Sequence, residues 1–98
     1  MNINTATDIN LRSITFCKYQ LQIANKDIRL SFPQLLDLRN RVNQLSDPDS
    51  LEAMINGDNF TLLFIADRQH LVFLEVAQLL TLQNEISAFL SNSNPVLI

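Results

Sequence analysis

Few side chains in this sequence could carry out covalent or acid–base chemistry. They are one cysteine (Cys17), one histidine (His70), and carboxylates gathered at Asp47, Asp49 and Glu52. His70 follows Asp67, Arg68 and Gln69, so a base stands near a carboxylate, as in half of a nucleophile-activating triad. The nucleophile that would complete it is not indicated, since no spacing links Cys17 to His70. One Cys and one His cannot close a structural zinc site within one chain. A single glycine, Gly57, leaves no Gly-rich loop to cradle a phosphate or dinucleotide. Asp47, Asp49 and Glu52 fall at the start of a short helical stretch, where carboxylates favour the helix dipole without any bound cation. The expectation is therefore a protein with no catalytic residues, no metal and no cofactor.

The elements that would position these residues follow from a repeat. Residues 34–40 read QLLDLRN and residues 78–84 read QLLTLQN. Sliding the chain by 44 residues without a gap sets residues 19–47 on residues 63–91, with six identities in 29 pairs. Chance gives roughly one or two at ordinary amino-acid frequencies. Within each copy, Leu35, Leu38, Val42 and Leu45, and likewise Leu79, Leu82, Ile86 and Phe89, recur every three or four residues. Each set is the apolar stripe of an amphipathic helix. Ser31, Pro33 and Gln34 predict a capped start near residue 32, and the second helix is expected from about Val76 to Leu90.

A strand pair precedes each helix. NFTLLFIA and HLVFLEV, separated by Asp67–Gln69, read as a hairpin, and SITFCKYQLQI and DIRLSF flank Ala24–Lys26 in the same way. Between the copies, Asp47 and Pro48 open a short helix that Asn56–Gly57 should close, with Gly57 as a left-handed stop. The fold class expected is α+β. A duplicated strand-strand-helix unit would build a two-layer sandwich, its four-stranded antiparallel sheet carrying two long helices on one face. The whole is one domain: residues 1–11 flexible or covering an edge, 12–45 the first repeat, 46–58 the connector helix, 59–91 the second repeat, and 92–98 a tail.

Composition agrees with a packed core, at 47% hydrophobic residues, and the unpaired Cys17 suits a reducing, cytoplasmic interior. No targeting or membrane-spanning pattern is evident. The net charge of −3 is unevenly divided: residues 1–45 hold six basic and three acidic residues, residues 46–98 one basic and seven acidic.

Alternation sorts the strand residues by face. Tyr19/Leu63, Leu21/Ile65, Ile28/Val72 and Leu30/Leu74 are apolar in both copies and should form the core, and Cys17, aligned with Thr61, should share that inward side. The other face differs. The first copy carries Lys18, Gln20 and Arg29; the second carries Leu62, Phe64, Leu71 and Phe73. Four such side chains in water form a patch on the order of a few hundred Å², the size that usually marks an interaction site. The functional expectation is a non-catalytic association module. It would be a homodimer built on Leu62, Phe64, Leu71 and Phe73, with Lys18, Gln20 and Arg29 on the rim.

Other occupants of the patch are a different protein, the first ten residues, or the PVLI tail (residues 95–98). Single-stranded nucleic acid could stack on Phe64 and Phe73 beside Lys18 and Arg29. A sequence pI near 4.8 opposes that reading, because phosphate contacts dominate such affinity. The remaining alternatives are a small-ligand site and an enzyme whose site forms between subunits.

Overall fold

A computed structural model describes residues 9–92. Its elements in chain order are β1 (Asn10–Thr15), β2 (Lys18–Ile23), β3 (Lys26–Ser31), α1 (Phe32–Leu45), α2 (Pro48–Asn56), β4 (Phe60–Ile65), β5 (His70–Glu75) and α3 (Val76–Asn92). The fold is α+β with antiparallel pairing throughout, and the strands of the described residues form two sheets. One is a three-stranded sheet in the order β1-β2-β3, the other a two-stranded sheet of β4 and β5. The expectation of one four-stranded sheet is thus met only in its antiparallel hairpins.

The difference starts in the segment SITFCKYQLQI. Instead of one long strand, the chain reverses at Phe16–Cys17, with Cys17 at φ 59°, and Thr15 pairs with Lys18. The arm before the turn becomes β1, an extra edge strand whose register shifts between Ser13 and Thr15. Cys17 is consequently exposed at the turn, not inward on a strand. The outer edge of β1 is capped: the Leu11 amide donates to Glu85 Oε2 of α3 at 3.3 Å. Covering an edge with a helix keeps its unpaired amides from recruiting other strands.

The helix starts follow their local chemistry. Ser31 Oγ accepts from the Gln34 amide at 3.3 Å while Gln34 Oε1 accepts from the Ser31 amide at 2.9 Å, a complete capping box. At α2, Asp47 accepts from the Asp49 amide at 3.2 Å and Pro48 occupies the first turn. The far end of α2 departs from expectation. Gly57 has φ −102°, and the left-handed residue is Asn59 at φ 66°, whose amide reaches the Met54 carbonyl at 2.8 Å. Asn tolerates that conformation through its short polar side chain, so glycine is not required for the reversal. What Gly57 supplies is clearance, because a Cβ there would lie 3.2 Å from the Ala53 carbonyl oxygen.

All these elements share one core. Leu21, Ile23, Ile28 and Leu30 from the first sheet meet Leu63, Ile65, Val72 and Leu74 from the second, with Leu35, Leu38 and Val42 of α1 and Leu79, Leu82 and Ile86 of α3. Leu11 and Met54 extend the cluster, and Tyr19 packs at its margin, edge-on to Phe89 at 5.7 Å. The helices also touch directly, Gln83 Nε2 donating to Asn43 Oδ1 at 3.2 Å.

Candidate functional site

The two-stranded sheet has an inner and an outer face because side chains directly opposite each other in an antiparallel pair lie on the same side. Leu63↔Val72 and the neighbouring Thr61↔Leu74 and Ile65↔His70 pairs turn toward the core. Leu62↔Phe73 and Phe64↔Leu71 turn away from it. The outward residues are 47%, 59%, 47% and 43% exposed, in the order Leu62, Phe73, Phe64 and Leu71. Phe60 joins them at one end, its ring stacked on Phe73 with centroids 4.5 Å apart and planes at 18°. The result is a continuous apolar surface of three aromatic and two aliphatic side chains.

Charge marks the two ends of this surface. At the turn end, the Arg68 guanidinium lies 5.8 Å from the centroid of the Phe64 ring, so the cation sits on the outer side. At the opposite end Glu75, paired across the ladder with Phe60, is exposed. Asp67, next to Arg68, is turned away and accepts from Gln34 Nε2 of α1 at 2.7 Å. The β4–β5 turn thereby directs its acid toward the helices and its base toward the outer face. The turn runs over Ala66–Gln69, closed by the Gln69 amide on the Ala66 carbonyl at 3.1 Å. Ala66, Asp67 and Arg68 all have positive φ.

The residues expected at the rim lie on the other sheet. Lys18 and Gln20 are on β2 and Arg29 on β3, with Gln20 directly opposite Arg29. Arg12 of β1 extends the same row, paired with Gln20. Lys18, Arg29, Ser31 and Gln34, together with Ile14, Thr15 and Leu30, line an open depression of about 350 Å³. A second one, about 430 Å³, lies between Ile9–Asn10 and the β2–β3 turn, where Gln22, Asn25, Lys26 and Asp27 line it.

Sequence reasoning missed Phe16, which is 91% exposed at the β1–β2 turn beside Cys17. A signal was present: Ile14 and Phe16 alternate out of phase with Tyr19, Leu21 and Ile23, and eleven residues exceed an ordinary strand.

The groups considered for catalysis do not converge. Cys17 lies in the turn of the first sheet and His70 begins β5 in the second, half-buried opposite Ile65. Asp47 caps α2. Among the described residues no three His, Cys, Asp or Glu side chains gather as metal ligands. Nor is any helix of those residues long and apolar enough to cross a membrane. Compared with family models, curated proteins and solved structures, the chain matches none of them.

Proposed function

We propose that this protein is a non-catalytic association module that pairs with a second copy of itself through the outer face of β4 and β5. One observation carries the reading: Leu62, Phe64, Leu71 and Phe73 form two adjacent cross-strand pairs, all exposed, on a face that an open antiparallel sheet ordinarily gives to polar residues. At ~25 cal/mol per Å², covering a patch on the order of a few hundred Å² is worth several kcal/mol before association costs. Aromatic side chains at the centre of a patch are the usual anchors of such interfaces.

Lys18, Gln20 and Arg29 serve as the polar rim in this reading. The two strand-strand-helix stretches descend from one duplicated unit, of which only the second copy has a greasy outer face. The exposed thiol of Cys17 suits a reducing, cytoplasmic setting.

Light scattering on a sizing column tests the proposal. The wild type should elute with twice the chain mass of 11.2 kDa, and Phe73→Asp should give a folded species of single mass. A wild type that is monomeric across micromolar concentrations would sink the homodimer and leave the face to the chain's own ends or to a different protein.

A further inference from the structure

Resting on the homodimer reading above, we infer that the two copies stack with their β4–β5 strands running in opposite directions, so that Arg68 of each copy pairs with Glu75 of the other. Two faces that cover each other in a twofold dimer are related by an axis lying in the plane between them. Two directions are open to that axis, along the strands and across them. Along the strands, it sets Phe73 over the second copy's Leu62 and Leu71 over its Phe64. Across the strands, it sets Phe73 over Leu71 and Leu62 over Phe64. Both arrangements place aromatic rings on aliphatic side chains, so apolar fit does not choose between them.

The charges do choose. Arg68 is held on the outer side over Phe64 at one end of the face, and Glu75 is exposed at the other end. An axis along the strands gathers both Arg68 side chains at one end and both Glu75 side chains at the other, like charge beside like charge at the border of a desolvated patch. An axis across the strands, through the level of Val72, brings each Arg68 to a Glu75, because the turn and the strand end lie about equally far from that level. Stacked sheets sit ~10 Å apart, a gap that two long side chains bridge from either side. Asp67 does not compete for Arg68 on this face, since its carboxylate is engaged by Gln34 of α1. The ion pairs set the orientation of the dimer, as charges at the rim of interfaces commonly do.

The test is the dimer dissociation constant at low salt, measured by light scattering or sedimentation for the wild type, R68E, E75R and the double variant R68E/E75R, with circular dichroism to follow folding. Each single reversal replaces both attractions by repulsions and should weaken the dimer about tenfold or more, while the double variant should return to within about threefold of wild type. Restoration by the double variant separates a lost ion pair from a damaged turn. Singles that leave dissociation unchanged, or a double variant no tighter than the singles, would overturn the stacking direction. In both cases a wild-type dimer that Phe73→Asp still dissociates would keep the homodimer itself. A monomeric wild type would overturn both.

Discussion

The outer faces of the two sheets are both built on antiparallel hairpins and have opposite chemistry. On the first, Arg12, Gln20 and Arg29 form one row across three strands, and Asn10, Gln22 and Asp27 another. On the second, the rows are Leu62–Phe73 and Phe64–Leu71. The inner faces are alike in their centres, where Leu21, Ile28 and Leu30 in one and Leu63, Ile65, Val72 and Leu74 in the other are apolar and buried. Burial against the helices therefore fixes one face of each hairpin and leaves the other free to take up a separate task. The contrast teaches that the apolar outer face is not needed to fold a hairpin of this kind, because the first sheet folds without one.

The largest expected effect tests the alike side of the comparison. Leu21 and Leu74 are fully buried in the shared cluster, so Leu21→Ala and Leu74→Ala should each cost about 2–5 kcal/mol of stability. Denaturant titration should show one cooperative transition for both variants. Two transitions, one per hairpin, would mean that the sheets hold separate cores.

The next test breaks the unlike side. Exchanging the faces by Lys18→Leu, Gln20→Phe and Arg29→Phe should create a second sticky surface and drive the mass beyond a dimer. Light scattering on that triple variant should show higher species or precipitation. A variant that stays at the wild-type mass would mean that exposed apolar side chains on this scaffold do not recruit a partner.

A smaller contrast lies at the helix starts. α1 has both halves of its capping box. At α3, Gln78 Oε1 accepts from the Glu75 amide at 2.9 Å, but Glu75 stands where α1 has Ser31. Ser31→Ala should cost about 1 kcal/mol, lowering the melting temperature by roughly 4–8 °C for a domain of this size. An unchanged melting temperature would show that α1 is held by packing alone.

Much of this was legible in the sequence, for a physical reason visible in the hairpins. Sliding the copies by 44 residues aligns Leu21 with Ile65 and Ile28 with Val72. Yet Leu21 pairs with Ile28, whereas Ile65 pairs with His70. The two ladders differ in register by two residues, because one turn has two residues and the other four. A shift of two preserves the face, so the inward and outward residues named on β2 to β5 fall on the expected sides even though the hairpins are not superimposable; Cys17, expected inward, is the exception. The capping box was legible for a similar reason, resting on a three-residue spacing. The turn at Phe16–Cys17 was not, since neither residue is a usual turn former and only the phase of alternation betrays it. Nor did the sequence show that Asp67 and Arg68 would point to opposite sides, which depends on left-handed backbone at consecutive residues.

Those turns yield the finest test. Ala24 and Asn25 have φ 52° and 65°, both positive in a two-residue loop, which is the type I′ geometry that matches strand twist. Asn25→Gly should remove the left-handed penalty of a side chain and raise stability by several tenths of a kcal/mol to about 1. A lower melting temperature would argue against that turn. In the other hairpin, Arg68 at φ 71° offers the same gain, but its side chain lies over Phe64. Arg68→Gly should therefore act with two signs. In the monomeric Phe73→Asp background, it should raise the melting temperature by relaxing the backbone. In the otherwise wild-type chain, it should weaken the dimer by removing the cation that meets Glu75. If it stabilised both forms equally, the left-handed turn would be a cost with no interface to justify it; opposite signs would show strained backbone retained because it aims a charge at the second copy.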